Sequence, residues 1–459
     1  MKNNRSNNKS NTTKASEKND RIRVLKSPAQ VGLGIVLGVV LGVIVCVLFL
    51  PSIHTLGTLL SPSIVVPHDN PNMSLVSTFE NGQQYKAGPY NVVVVSGTFP
   101  EMGRQYGDLM KPELNAIYQI IINEGERKGY TVEELRNASH SPIELLPERL
   151  KTFIRGEAET SGLTYDDLAI IYYGAYFYDS LPDSSQPTGC SFLAVSENYT
   201  KDGTMIVSRN FDLPDVDAVF DPYYTLTVYR PDSGNNEFAT ISPAGMRSET
   251  LMNNKRLFIS DNNGMASGGV DVRGNRPDFI SEFYRFMLDC SSMRELDDDI
   301  QATRPNTAII VNAAGPDVAY SYEETLTSGG AVSNLIRRSG DDGLLVATNH
   351  FIDPLWKNYK PQTTSSQFSN TWITNSELRY SNLVNQATQN KGTIDVQKML
   401  EIRDVMIDNG GATVQHADFG GVPFSTDLQV VFVPQSEVLW MKVANGTWQN
   451  ANLGTLFAS

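Results

Sequence analysis

The sequence predicts an α+β protein built on antiparallel sheets, carried behind one apolar segment long enough to cross a membrane. Three observations lead there. Strand-like runs at 191–195 and 204–208 flank Lys201-Asp202-Gly203, a β-hairpin signal. Helical patterns are grouped between the strands instead of alternating with them one by one, which argues against a doubly wound parallel sheet. Residues 29–50 hold no charged side chain and are dominated by Val, Leu, Ile and Gly.

Taken in chain order, residues 1–27 are rich in Asn, Ser, Thr and Lys and read as a disordered basic tail. The apolar run places a transmembrane helix over 28–51, since about twenty residues at ~1.5 Å each match a bilayer core of ~30 Å. It is longer than a signal-peptide core and no small-x-small cleavage site follows, so an uncleaved single-pass anchor is expected. The basic flank precedes it. The tail is therefore expected in the cytoplasm and everything after residue 51 outside the cell membrane.

A Pro-, Ser- and Asn-bearing linker is expected over 52–84. Residues 85–189 form a mainly helical, propeptide-like region. It opens on a strand-like run at 91–98, followed by helical periodicity over 102–123 and 143–177. The loop Ser180-Leu181-Pro182-Asp183-Ser184-Ser185-Gln186-Pro187 ends it. From residue 190 to 459 the texture turns to strands, expected at 224–229, 237–241, 256–260, 307–312, 318–322, 344–348, 428–433 and 438–443. Amphipathic helices lie between them at about 277–290, 375–389 and 394–407.

Composition excludes whole classes of function. The net charge of −14, with eight Lys or Arg concentrated in the first 27 residues, leaves the remainder acidic and unsuited to a nucleic-acid backbone. Three cysteines (46, 190 and 290) and five histidines form neither a C-x-x-C nor an H-E-x-x-H pattern. Neither a metal site nor any other cofactor is expected.

Chemistry concentrates at Gly189-Cys190. An antiparallel hairpin sets the start of its first strand beside the end of its second, so Cys190 faces Arg209-Asn210-Phe211-Asp212. A cation close to a thiol favours the thiolate, and a carboxylate can orient the cation. By spacing alone, a buried cysteine beside an ordinary Arg/Asp surface pair is the plainer reading of this pattern. His350 leaves a papain-like Cys–His pairing open, while His416 reads as structural.

Cys190, the turn Asp202-Gly203, and Arg209-Asn210-Phe211-Asp212 resemble the start of the mature chain in the choloylglycine hydrolase and penicillin V acylase group. The pattern is also similar to that of the acyl-coenzyme A:isopenicillin N acyltransferase group, peptidase family C45. Gly97-Thr98-Phe99-Pro100-Glu101-Met102-Gly103-Arg104-Gln105-Tyr106-Gly107 resembles the segment that opens the acyltransferase-type propeptide region. Asn262-Asn263-Gly264 and Ala347-Thr348-Asn349-His350-Phe351 resemble the two family Asn segments, and Arg379 sits where the family has a later arginine.

The resemblance implies a four-layer αββα N-terminal-nucleophile hydrolase sandwich with antiparallel sheets. It also implies autocatalytic cleavage between Gly189 and Cys190. The freed α-amine of Cys190 then serves as base for its own thiol, and a small N-acyl substrate is split at a non-peptide C–N amide bond through a thioester. Cys190, Arg209, Asp212 and Asn349 are the implied catalytic set, with Asn349 as oxyanion donor. Arg379 and Asp271 are further candidates. Asp271 departs from the usual Asn, and a carboxylate does not donate a hydrogen bond unless protonated. Acyl transfer to an amine and a catalytically inactive surface binding protein are the alternatives. An outward-facing enzyme lacks ready acyl-coenzyme A, which favours hydrolysis.

Overall fold

The computed structural model describes residues 70–174, 189–232, 234–264, 267–268, 278–327, 332–340, 342–356, 370–418 and 422–458. The expected tail, transmembrane helix and most of the linker lie outside these residues. Among the described residues no helix is long and apolar enough to cross a membrane.

Two sheets stack face to face. The first has ten strands: β1 (Met73–Phe79), β2 (Gly82–Ala87), β3 (Tyr90–Gly97), β6 (Tyr224–Pro231), β7 (Phe238–Pro243), β8 (Thr250–Asn253), β9 (Phe258–Asn263), β10 (Ile309–Ala314), β11 (Ala319–Thr327) and β12 (Val332–Ser339), hydrogen-bonded in that order. The second runs β13 (Leu344–Ala347), β4 (Gly189–Glu197), β5 (Gly203–Pro214), β15 (Pro423–Val433), β16 (Val438–Val443) and β17 (Gln449–Asn452), with β14 (Ala417–Asp418) paired to β15. The contact between β3 and β6 is parallel, and every other pairing within the two sheets is antiparallel.

Side-chain alternation builds the layers, because successive strand residues point to opposite faces. Val92 and Val94 of β3 pack between the sheets, with Phe192 and Ala194 of β4 and Val430 and Phe432 of β15. Val93 and Val95 point outward, into a helical layer made by α1 (Phe99–Leu109), α2 (Lys111–Arg127), α3 (Val132–Glu144), α4 (Glu148–Ser161), α5 (Tyr165–Tyr172), α6 (Phe279–Asp289) and α7 (Met293–Ala302). Leu193, Val195 and Val431 point the other way, onto α8 (Asn370–Gln389) and α9 (Val396–Asp404). A short α10 (Leu453–Ala458) closes the inter-sheet core. The layering is αββα.

The region upstream of Cys190 belongs to this sandwich. β1 and the start of β2 fall within the expected linker, so order begins before residue 84; β1 is an edge strand whose alternate positions are exposed, which leaves a weak apolar signal. Asn70 fastens the start of the described chain, donating to the Asn452 carbonyl at 3.2 Å and to Thr455 Oγ1 at 2.9 Å. The periodicity over 102–123 resolves into two helices broken at Met110, where Pro112 enters the first turn of α2. In 143–177, Gly162 terminates α4 in a left-handed conformation. The strand expected at 256–260 begins later, because Arg256 occupies a left-handed turn with φ of 65°.

The 97–107 motif now has a structural cause. Thr98 and Glu101 form a capping box at the start of α1, and Gln105 bonds both the N–H and the carbonyl of Ser96 on β3. A Cβ on Gly103 would lie 2.0 Å from the Phe153 carbonyl oxygen, one on Gly107 2.4 Å from that of Glu157, and one on Gly156 2.2 Å from that of Pro100. These three glycines let α1 and α4 touch backbone to backbone.

Candidate active site

The hairpin β4–β5 has the register that the sequence implies. Gly189 faces Asp212, Cys190 faces Phe211, and Phe192 faces Arg209. Cys190 is the second residue of β4 and is 1% exposed.

Its backbone is fixed at both ends. The Cys190 N–H donates to Asn349 Oδ1 at 2.8 Å, and the Cys190 carbonyl accepts from Arg379 Nη1 at 2.5 Å. Arg379 Nη2 donates to the same Asn349 Oδ1 at 2.8 Å, so one guanidinium bridges the cysteine and the asparagine. Asn375 Oδ1 accepts from Arg379 Nε at 2.7 Å and holds that guanidinium from one turn earlier on α8. Asp212 Oδ2 lies 3.5 Å from Arg379 Nη1, and Asp212 Oδ1 accepts from Thr426 Oγ1 at 2.6 Å.

The thiol is met by Arg209, whose Nη2 stands 3.5 Å from Sγ. The same nitrogen donates to Glu249 Oε2 at 3.0 Å and to the Asp261 carbonyl at 2.9 Å, while Nη1 donates to Thr250 Oγ1 at 2.6 Å. The Arg209 guanidinium also lies over the Phe211 ring at 4.6 Å.

Arg209 acts on the thiol in the expected direction, but it is outweighed. Burial pushes the Cys190 thiol far up; Arg209 pulls it down, but Glu249, Asp261 and Asp212 push it up again. In this uncleaved chain Cys190 is a neutral thiol. Burial likewise raises the Asp212 carboxyl, against Arg379, Thr426, Arg403 and Arg209, which lower it.

Asn349 also behaves differently from the expected oxyanion donor. Its oxygen accepts from Cys190 and Arg379, which fixes the amide orientation, and its Nδ2 donates to the Asn263 carbonyl at 3.0 Å. Asn262 Nδ2 in turn donates to the Thr348 carbonyl at 2.8 Å. The two Asn segments of the motif thus meet across the sheets. Asp271 lies outside the described residues.

His350 does not pair with the thiol in the described contacts. Its Nδ1 is 2.8 Å from Ser376 Oγ and 3.2 Å from Thr348 Oγ1, and burial, Arg379 and Arg338 lower it to about 4, so the ring is neutral. His416 is exposed and pairs with Asp215. Among the described residues no cluster of His, Cys, Asp and Glu suits a metal ion.

No protein-family model matches the chain, and no curated protein matches it. Among solved structures it is similar to a mutant form of conjugated bile acid hydrolase from Clostridium perfringens, at 12% identity and a TM-score of 0.37. That match covers 58% of this chain and 94% of the other. It is also similar to penicillin V acylase from Agrobacterium tumefaciens, at 12% identity and a TM-score of 0.38, over 59% of this chain and 88% of the other. Both neighbours fall in the group that the cysteine motif resembles.

One buried residue escaped the sequence reading. Arg403, 1% exposed on the last turn of α9, donates to Ser191 Oγ at 2.8 Å, to Ser208 Oγ at 2.9 Å and to the Ser208 carbonyl at 2.7 Å. It braces both hairpin strands directly behind Cys190. The available signal was its position: Met399, Leu400, Ile402 and Arg403 share the buried face of α9.

Proposed function

We propose that this chain is an autoprocessed cysteine hydrolase of the N-terminal-nucleophile kind, cleaving a small N-acyl substrate at its C–N amide bond. The observation that carries the reading is the three-point hold on Cys190: N–H to Asn349, carbonyl to Arg379 and Sγ to Arg209. A cysteine kept only for packing needs none of these, and burying two guanidinium groups around it is unfavourable unless each is satisfied.

The chemistry follows from those contacts. In maturation, Sγ of Cys190 adds to the carbonyl carbon of Gly189. The Gly189–Cys190 C–N bond breaks as the thioester forms, and the departing nitrogen takes up a proton to become the α-amine. Water then releases the upstream chain as a carboxylate and restores the thiol. Gly189 removes the side chain that would crowd this attack. The new amine stays beside Asn349 Oδ1, with Arg379 close by. An α-amine titrates near ~8 in the free state, and the adjacent cation enlarges the unprotonated share that acts as base at neutral pH.

In turnover the amine takes the thiol proton as sulfur attacks the substrate carbonyl, then returns it to the leaving amine; water repeats the sequence on the acyl-thioester. Arg209 sets the sulfur and offsets its negative charge, and Asp212 steadies Arg379. Asn349 is the oxyanion donor if its Nδ2 turns from the Asn263 carbonyl to the substrate. Membrane anchoring through residues 28–51, with the hydrolase outside, completes this reading and rests on the charge pattern of the sequence.

The test is maturation itself. The full-length chain should yield a fragment whose first residue is Cys190 by mass spectrometry, and Cys190→Ala should stay intact. A wild-type chain that remains whole, and leaves a panel of N-acyl substrates untouched, would falsify the proposal.

A further inference from the structure

Arg209, which contacts the Cys190 thiol, and Phe211, its partner in the hairpin register, also line a cavity of about 60 Å³. Tyr173, Phe220, Tyr224 and Met246 wall it, and Asp217 and Asp427 open onto it. Two arginines also border it, but both charges are already met. Arg209 is paired with Glu249 at 3.0 Å, and Arg247 is paired with Asp278.

Asp427 is different. It is 2% exposed, makes no ion pair among the described residues, and its Oδ2 has no hydrogen-bond partner. Tyr224, also 2% exposed, presents a phenol oxygen that is likewise without a hydrogen-bond partner. The two groups come from different strands, β6 and β15, and meet at one cavity. Burial, together with Asp221, Asp217, Asp212 and Asp215, pushes the Asp427 carboxyl far above its ordinary range, so it stays protonated while alone. It ionises only when a cation enters beside it and the carboxyl proton leaves.

From this geometry we infer that the cavity is the subsite for a small protonated amine carried by the substrate, a primary alkylammonium held by Asp427 and Tyr224. Three features select that chemistry. The carboxylates are not gathered at metal-ligand spacing among the described residues, so a metal ion does not fit. The Phe220 and Met246 walls suit the apolar stem of an alkylammonium beside its charged end. The volume is well below the ~150 Å³ void that accommodates benzene, so a short alkylammonium end enters while a ring does not.

The inference rests on the hydrolase reading for the identity of the substrate, but the subsite is testable apart from it. The full-length protein is titrated calorimetrically with n-propylammonium and with 1-propanol, its neutral counterpart of similar size. Wild type should bind the ammonium at least about tenfold more tightly, by one charge-assisted pair. Asp427→Asn should abolish the preference, and Tyr224→Phe, which keeps the wall, should weaken it severalfold. Equal affinities in wild type, or a preference that survives intact in a folded Asp427→Asn or Tyr224→Phe protein, overturn the inference. Normal cleavage at Gly189–Cys190 without ammonium selectivity would sink the subsite alone. Selectivity in a chain that never cleaves would sink the hydrolase reading alone.

Discussion

Asn349 is the residue on which the proposed maturation and turnover separate most cleanly. Its oxygen holds the Cys190 N–H and Arg379, whereas its Nδ2 is the group that would meet an oxyanion. Asn349→Asp keeps an acceptor and loses the donor. Cleavage at Gly189–Cys190, followed by gel electrophoresis, should persist, while turnover of an N-acyl substrate should fall by about 10²–10³. Arg379→Ala should stop both, because the Cys190 carbonyl and Asn349 lose their shared donor together. Alkylation supplies a second check at this scale. The thiol of the uncleaved chain is held neutral by burial, so iodoacetamide at neutral pH should modify Cys190 much more slowly before cleavage than after it. Equal rates in the two forms would contradict the assigned protonation state.

Among elements, the contact of α1 with α4 and the support of the hairpin by α9 have distinct consequences. Gly103→Ala places a methyl group against the Phe153 carbonyl and should destabilise by about 2–3 kcal/mol, seen as a lower midpoint in urea. Arg403→Ala strands the Ser191 and Ser208 partners in a dry interior and should destabilise by about 3 kcal/mol. The hairpin that carries Cys190 was legible in sequence because its turn, Lys201-Asp202-Gly203, and its β-alternation agree. β1 and β2 were not. β1 is the edge strand, and Gln83, Gln84 and Lys86 of β2 are held by pairing to strands on both sides, a property that no local pattern announces. The break at Met110 was hidden for a related reason: apolar periodicity runs through both helices, and only Pro112 marks the join.

For the whole molecule, the interior carries ionisable groups that tie stability to pH. Glu157 is 3% exposed in the helical layer, and burial raises its carboxyl to about 8. Burial also raises Asp221 to about 7. A carboxyl whose folded value exceeds its unfolded one binds its proton more tightly when folded. Its contribution is therefore fully present below about 4, and is lost as pH climbs to about 7 for Asp221 and about 8 for Glu157. The melting temperature of the full-length protein should fall between pH 5 and pH 8, and Glu157→Gln should flatten much of that fall. A melting temperature that rises across the same interval in wild type would show that these carboxyls are ionised in the folded state.

By itself, the sequence determined the α+β class, the hairpin bearing Cys190, and the candidates Arg209, Asp212, Asn349 and Arg379, because short strands and spaced motifs are local properties. Only the tertiary structure decided how those candidates meet. It threads the region before Cys190 into the ten-stranded sheet that packs against the cysteine's own, turns Asn349 toward the cysteine N–H, and brings in Arg403, Glu249 and Asp261, which no motif marked. It also decided the balance at the thiol, where burial outweighs the expected pull of Arg209. A cation adjacent in sequence pattern favours a thiolate, but desolvation depends on how many layers close over the sulfur, and that is a property of the packed sandwich.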